Sequence, residues 1–213
     1  MTDTRNLEQV RADIDAIDRE IQQLISRRAQ CAQRVADIKM ADVQAARERG
    51  EPDAEVVYYR PEREAQVLKR IMDRNVGPLQ GETVAHIFRE IMSACLALEQ
   101  PLSIAYLGPE GTFTQQAVYR HFGHSVLAAG HATIESVFEQ VQGGEADFGV
   151  VPIENSTQGV VSHTLDLFIE SPLKICGEIE LRIHHNLLTH APGLSTIDRV
   201  YAHQQSLSQC KGW

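Results

Sequence analysis

The sequence predicts two successive domains, an all-α domain over 1–101 and an α/β domain over 102–213. Before Gln100-Pro101, apolar residues recur at helical spacing and glycine is rare. After that point, short runs rich in β-branched and aromatic residues, such as SIAYL, DFGVVPI and RVYAH, alternate with helical stretches and glycine turns. Strands alternating with helices are typical of an α/β fold with a parallel sheet. A length of 213 residues is sufficient for both domains.

The first predicted helix, over 7–39, carries one continuous apolar stripe. Its members recur in alternating steps of three and four, which places them on one helical face. They are Leu7, Val10, Ile14, Ile17, Ile21, Leu24, Cys31, Val35 and Ile38. At 1.5 Å per residue, the helix is roughly 50 Å long. A polar extension should follow it and end in a loop around Gly50.

Two shorter helices complete the predicted all-α domain. One opens at Pro61, a residue suited to the first helical turn, and the other covers 82–99. The expected inner face of the latter comprises Val84, Ile87, Phe88, Ile91, Cys95 and Leu98. Helices of such unequal length cannot cover the long stripe. We therefore expect a second copy of the chain to cover it in an intertwined, three-helix homodimer.

Several charged residues are predicted to lie on these apolar faces. Arg28 falls where the stripe requires a core residue, and Lys39 lies three turns further along nearly the same side. Glu64 and Glu99 point inward from the second and third helices. Arg11 lies about 100° away from Arg28 around the axis of the first helix. Because an unpaired buried charge is costly, this combination predicts a closed polar pocket for a small dianion.

Each charged residue also has a structural interpretation. Arg28 could set the register of a coiled coil, and Lys39 could extend its ammonium to solvent at a helix end. Arg63 and Glu64 could be an ordinary pair in a first helical turn, and Glu99 could belong to a frayed end. Their occurrence on facing surfaces favours the pocket.

These charged positions resemble those of the all-helical chorismate mutase family over about residues 5 to 100. The resemblance implies a domain-swapped dimer that rearranges chorismate to prephenate. It further implies that Arg11, from the partner, and Arg28 hold the two carboxylates, that Lys39 donates to the ether oxygen and that Glu64 accepts the ring hydroxyl. The remaining implied substrate-binding residues are Arg63, Cys95 and Glu99.

The chemistry of a Claisen rearrangement fits this set of charges. The reaction needs no nucleophile or cofactor, but it needs a compact substrate conformer and donors beside the breaking C–O bond. Some family members have glutamine where this chain has Glu99. A glutamate donates only when it is protonated, and its reference pKa of about 4.3 rises on burial. We therefore expect the mutase activity to decline as pH rises.

A second candidate site lies in the α/β domain. The run SIAYLGPEGTFTQQAVYRHFG predicts a strand, a glycine turn and a helix, with Thr112 beside the helix N-terminus. Glu154, Asn155 and Ser156 follow a buried strand, at the edge where open α/β sheets bind ligands. The turn could also be a plain βα connection, and the polar residues could be simple caps.

The motifs GPEGTFT, VPIENS and YAHQQSLSQC resemble prephenate dehydratase, and the domain order resembles the bifunctional mutase–dehydratase enzymes of phenylalanine synthesis. The resemblance implies two lobes, like those of a periplasmic binding protein, and no cofactor. The implied cleft residues are Thr112, Glu154, Asn155, Ser156 and Gln209. That family continues through a Thr-Arg-Phe motif and a phenylalanine-binding ACT domain, which this sequence lacks. We therefore expect an incomplete, inactive dehydratase half.

Composition excludes several other classes of protein. A net charge of −9 argues against nucleic-acid binding, and no apolar run approaches the length of a membrane span. The four cysteines form no CxxC pair, and the histidines near Cys176 match no metal-ligand spacing. With an N-terminus too polar for a signal peptide, these features predict a cytoplasmic protein. The rival interpretation is a non-catalytic helical dimeriser carrying an α/β sensor module, which would not need the inward charges.

Overall fold

A computed structural model describes residues 6–52, 54, 56–155, 159–202, 206–207 and 210. Its first part consists of three helices, α1 (Leu7–Glu48), α2 (Pro61–Asp73) and α3 (Gly81–Ala97). Its second part is an α/β unit built on a parallel sheet. The predicted change from all-α to α/β structure is therefore confirmed.

Helix α1 is 42 residues long and starts at a capping box. The Asn6 side chain accepts a hydrogen bond from the Gln9 backbone, and the Gln9 side chain accepts one from the Asn6 backbone. The helix runs through the predicted polar extension and stops before Gly50, whose φ of +94° suits glycine. Most of its apolar stripe is exposed: Ile17, for example, retains 53% of its accessible surface.

Helices α2 and α3 form a small core of their own. Leu68 and Ile71 pack against Ala85, and Pro61 occupies the first turn of α2 as expected. The inner face predicted for the third helix is only partly correct, because Ile87 and Leu98 are exposed. The rest of the predicted face is covered to different degrees: Cys95 is buried, whereas Val84, Phe88 and Ile91 are partly buried.

Helix α3 ends two residues before Glu99, whereas the sequence predicted that Glu99 belongs to the helix. The backbone N–H of Glu99 still donates to the carbonyl of Leu96, at 2.9 Å, in a tight turn. Pro101 limits the helix, because it has no N–H to donate to the carbonyl of Ala97 after the bond from Gln100 to Leu96. Glu99 therefore lies on a short connection into the α/β part.

The α/β part begins with three parallel strands in the order β2-β1-β3. Its main elements are β1 (Ser103–Leu107), α4 (Phe113–Phe122), β2 (Leu127–His131), α5 (Ile134–Gln142) and β3 (Phe148–Val150). Two short strands and a helix follow: β4 (Glu154–Asn155), β5 (Gly159–Val160) and α6 (Ser162–Glu170). The apolar core contains Leu102, Ile104, Tyr106, Val118 and Phe122.

Strand order creates a switch point in this sheet. The chain leaves β1 for β2 on one side and then crosses to β3 on the other side of β1. The carboxyl ends of β1 and β3 are neighbours, because Tyr106 pairs with Val150 in parallel register. Such a point is where open α/β sheets usually bind ligands.

The β-run predicted at RVYAH is not a strand in the part of it that the structure describes. Residues 199–202 have no regular structure, and the fifth residue lies outside the described ranges. Val200 and Tyr201 are exposed, the latter by 87%. A strand requires a hydrogen-bonding neighbour, and residues 199–202 have none among the described strands.

The helical and α/β parts are in direct contact through α3 and the turn between α4 and β2. The Glu90 carboxylate accepts from the backbone N–H of His124 at 3.1 Å and lies 2.9 Å from its Nδ1. The Ser125 N–H donates to Ser93 Oγ at 3.3 Å. Tyr59, from the connection between α1 and α2, also packs on the α/β core.

Candidate active site

Lys39 and Glu99 are brought together at the end of the helical part. The Lys39 ammonium donates to the backbone carbonyls of Val57 and Tyr58, at 2.8 and 3.3 Å. Burial raises the pKa of the Glu99 carboxyl above its ordinary value, although the charge of Lys39 opposes the rise. Glu99 is therefore held beside a fixed cation and keeps its proton to a higher pH than an exposed glutamate.

Glu64 lies in a polar cluster immediately beyond this pair. Its Oε1 is 3.3 Å from Nε of Arg89, and only 16% of its side-chain surface is exposed. The Tyr59 hydroxyl lies close enough to the same carboxylate to affect its titration. Burial raises the pKa of Glu64 above its usual value, while Tyr59 and Arg89 oppose that rise.

The polar side chains thus form a continuous series from Glu99 to Arg89. Glu99 faces Lys39, and Lys39 is bound to the carbonyls of residues 57 and 58. The next residue, Tyr59, lies near Glu64, and Glu64 pairs with Arg89. Groups from all three helices and from two connections therefore meet in one region, with cations and carboxylates alternating.

The two arginines predicted on α1 are not part of this cluster. Arg28 is half-buried, and its separation of eleven positions from Lys39 corresponds to about 16 Å of helix. Arg11 is exposed and lies about 42 Å from Lys39 along the axis. A side chain cannot span the second distance, so Arg11 and Lys39 of one chain cannot share a small substrate.

Arg63 and Cys95 occupy contrasting positions. Arg63 is exposed in the first turn of α2, directly before Glu64. Cys95 is a free thiol with only 4% exposure, one turn before Glu99. Cys95 is thus placed to shape an apolar wall, whereas Arg63 remains available to solvent.

Two residues of the cluster, Tyr59 and Arg89, were not among the predicted site residues. A signal for Arg89 exists in the sequence, because it stands four residues after Ala85 and four before Ser93. Both of those small residues are buried, so this face of α3 is an inner one. Tyr59 precedes α2 in an irregular segment, where no periodic pattern could show its direction.

The structure describes only part of the second predicted site. Thr112 lies beyond the carboxyl end of β1, where its hydroxyl accepts from the Gln115 N–H and donates to the Leu107 carbonyl, both at 3.4 Å. Glu154 is exposed at the start of β4. These two bonds make Thr112 the N-cap of α4, at the edge of the sheet where a ligand is expected. The side chain of Asn155 and all of Ser156 and Gln209 lie outside the described residues.

In the parts of the chain that the structure describes, no group of three or more His, Cys, Asp and Glu side chains could hold a metal ion. No helix within those ranges has both the length and the apolar character that a membrane span requires.

Each of the two parts of the chain matches the model of a known protein family. The model of the prephenate dehydratase family matches residues 104–213, and that of chorismate mutase type II matches residues 10–100. The first match alone covers more than half of the 213 residues. The two matches follow each other along the chain, in the same order as the helical and α/β parts.

Similar proteins combine the same two parts. A bifunctional chorismate mutase/prephenate dehydratase of Stutzerimonas stutzeri is 54% identical over 100% of this chain, and one of Aquifex aeolicus is 40% identical over 97%. The chain spans 57% and 55% of the lengths of these relatives. A prephenate dehydratase of Bacillus subtilis is 37% identical over 51% of this chain and 40% of its own length. The chain thus belongs to the prephenate dehydratase family and carries a chorismate mutase type II domain before its α/β domain.

Proposed function

We propose that the helical domain, over 1–101, rearranges chorismate to prephenate in phenylalanine biosynthesis. The observation that carries this proposal is the polar cluster that Lys39 from α1, Glu64 from α2 and Glu99 from the turn after α3 approach. A non-catalytic dimeriser would gain nothing from half-buried charges at these points, because their desolvation costs stability. The similar bifunctional enzymes are consistent with the proposal.

Each predicted site residue of the helical domain has a role in the proposed reaction. Chorismate is a dianion, and Arg28 together with Arg11 of a second chain binds its carboxylates. Lys39 and protonated Glu99 donate to the ether oxygen as the C–O bond breaks and negative charge grows there. Glu64 accepts from the ring hydroxyl and so orients the substrate, while Arg63 and Cys95 complete the walls. Catalysis then arises from positioning and electrostatics.

A homodimer is the second part of the proposal. Exposure of the apolar stripe on α1 to water is unfavourable. The α1 helix of a second chain carries the same stripe, so the two helices can cover each other. The separation of Arg11 from Lys39 supports the same arrangement, since only another chain can bring an Arg11 to the cluster. The dimer is therefore required for a complete mutase site.

The α/β domain, over 102–213, is proposed to bind prephenate at the carboxyl edge of its sheet. Thr112 follows β1 and Glu154 follows β3, the two strands on either side of the switch point, as a ligand cleft there requires. Asn155, Ser156 and Gln209 are the other residues proposed for loss of CO2 and water from prephenate. The four free cysteines support a reducing, cytoplasmic location.

Following the absorbance of chorismate with micromolar purified protein tests the mutase proposal. Loss of chorismate is expected, and acidifying the product mixture distinguishes prephenate from phenylpyruvate that the protein has formed directly. Arg28→Ala should reduce turnover by at least about 100-fold, because it leaves a substrate carboxylate unpaired. Arg28→Met should be equally inactive yet at least as stable as the parent. Unchanged chorismate would rule the proposal out.

A further inference from the structure

Two backbone carbonyls orient the ammonium of Lys39. Its Nζ lies 2.8 Å from the carbonyl oxygen of Val57 and 3.3 Å from that of Tyr58. An ammonium has three N–H donors, so these two bonds leave one donor for the ether oxygen of chorismate. Because carbonyls are neutral, they fix the direction of the cation without cancelling its charge. A cation on a flexible four-carbon stem needs such fixation to donate in one direction.

The two carbonyls belong to an irregular stretch, residues 57–59, between α1 and α2. Among the described residues, the backbone of this stretch makes no hydrogen bond other than the two from Lys39. The beginning of the connection is bound to α1, because Arg47 Nε donates to the carbonyl of Ala54 at 3.0 Å. The two carbonyls that contact Lys39 need a second anchor on their other side.

The ring of Tyr59 provides this anchor in the α/β domain. Its centroid lies 5.4 Å from that of Phe148 in an edge-to-face arrangement and 5.8 Å from that of Phe122. Phe148 belongs to β3 and Phe122 to α4, so the ring packs on the sheet and on the helix covering it. Ring pairs of this kind add to the stabilisation from apolar burial. Because Tyr59 directly follows Tyr58, the packing of its ring limits where the carbonyls beside Lys39 can lie.

We propose that Tyr59 is a positioning residue for Lys39, and that its ring makes mutase turnover depend on the docked α/β domain. This inference rests on the proposed mutase function. It goes beyond that function in giving Phe148, a residue of the α/β domain, an effect on the cation beside the breaking C–O bond. The ring of Tyr59 carries this effect, and the hydroxyl is not needed for it.

The order of the Lys39 ammonium tests the positioning without any turnover. In ¹⁵N NMR relaxation of the full chain, Nζ of Lys39 should have a higher order parameter than Nζ of Lys69, which is exposed and pairs with Asp73. Lys39→Met removes the Lys39 signal and so assigns it. In Tyr59→Leu the Lys39 order parameter should fall close to that of Lys69. Tyr59→Phe should keep the parent value, because it retains the ring.

Kinetics compare the same two variants, since both lack the hydroxyl and only Tyr59→Phe has the ring. We expect kcat for chorismate to be about tenfold lower in Tyr59→Leu than in Tyr59→Phe, because a misplaced donor stabilises the transition state less. KM should differ by less than about twofold, since the arginines proposed to bind the carboxylates are unchanged. In a Lys39→Met background the two variants should have equal kcat, because Tyr59 acts through Lys39. A general loss of stability would leave the difference in place.

Phe148→Leu tests the dependence on the α/β domain, with Phe168→Leu as the matched control. Both phenylalanines are half-buried and form an edge-to-face pair, but the partner of Phe168 is Phe138 instead of Tyr59. We expect Phe148→Leu to lower kcat several-fold and to lower the order parameter of Lys39. Phe168→Leu should change neither quantity.

A Lys39 ammonium as mobile as that of Lys69 in the parent would overturn the inference, as would equal Lys39 order parameters in Tyr59→Leu and Tyr59→Phe. Parent kinetics and parent order in a folded Phe148→Leu would overturn the interdomain part. If one of these variants does not fold, the other decides alone. A parent that leaves chorismate unchanged would refute the proposed function, while the order of Lys39 still decides whether the ring of Tyr59 positions it.

Discussion

At the scale of single residues, Glu99 shows how burial can adapt an acidic side chain to a donor role. Its pKa is raised by burial, and the nearby ammonium of Lys39 reverses only part of that rise. A carboxyl with a raised pKa holds its proton to higher pH than the free side chain does. The proposed donation to the ether oxygen needs that proton, so activity should be present below the pKa of Glu99 and lost above it.

Glu99→Gln tests this prediction, because an amide donates at every pH. In the parent, log kcat should fall with a slope of about −1 once pH exceeds the pKa of Glu99. In the variant the profile should be flat over the same range, so the variant becomes the faster enzyme at high pH. The pH dependence of kcat under saturating chorismate provides the measurement. An alkaline limb that persists in Glu99→Gln would assign the titration to another group.

The residues of the polar cluster in the helical part were predictable to different degrees. Lys39 and Glu64 could be placed on inward faces because a helix fixes direction through its period of 3.6 residues. Glu99 was placed by the same period, although it lies in the turn after α3. Arg89 obeys the same rule but was missed beside the apolar residues of α3. The direction of Tyr59 was beyond prediction, since it lies in an irregular segment and its ring is fixed by contacts with Phe122 and Phe148, which are distant in sequence.

At the scale of elements, the contact between α3 and the end of α4 depends on Gly123. This residue has φ +77°, and an added Cβ would lie 2.5 Å from Cβ of Ser93. No side chain fits at that separation, so the two helices can approach this closely only with glycine at the turn. The Glu90–His124 contact and the Ser125–Ser93 hydrogen bond both depend on this approach.

Gly123→Ala should therefore weaken the interdomain contact. Gly144→Ala is a matched control, because Gly144 has the same φ of +77° and nothing within 4 Å of the added Cβ. The control should lose about 1 kcal/mol of unfolding free energy from backbone strain alone, and Gly123→Ala should lose about 1–3 kcal/mol more from the clash. Urea unfolding followed by circular dichroism measures both. Equal losses would mean that the helices separate at little cost.

Element boundaries were predicted well where local chemistry sets them and poorly elsewhere. The start of α2 at Pro61 and the end of α1 before Gly50 follow from backbone preferences of those residues. The end of α3 before Glu99 could have been deduced from Pro101. The run RVYAH has the composition of a strand, but a strand also needs a neighbour, and composition does not reveal whether a neighbour is present.

At the scale of the whole molecule, the apolar stripe on α1 is a long apolar surface that one chain leaves uncovered. Ile14, Ile17, Ile21 and Leu24 each keep about half or more of their surface exposed. The sequence predicted the stripe from its period, and it predicted a second copy from the lack of any other helix long enough to cover it. The order of strands could not be predicted in this way, because pairing in a parallel sheet depends on long-range contacts.

Ile21→Glu should separate the proposed dimer by placing a charge in the apolar contact. The molar mass by light scattering should fall from about twice 23.8 kDa to 23.8 kDa. Gln23→Glu adds the same charge to an exposed position of the same helix and should remain dimeric. A monomeric Ile21→Glu should also lose mutase activity, since no partner then supplies Arg11.

A mixing experiment shows whether Arg11 acts on the chain that carries it or on its partner. Arg11→Ala and Arg28→Ala should each be inactive alone. If Arg11 acts across the interface, a mixed dimer contains one site with both arginines intact, and random re-association should restore about a quarter of parent activity. If both arginines act within one chain, every site in the mixture lacks one of them and nothing is restored. Because Arg11 lies about 42 Å from Lys39 along α1, we expect restoration.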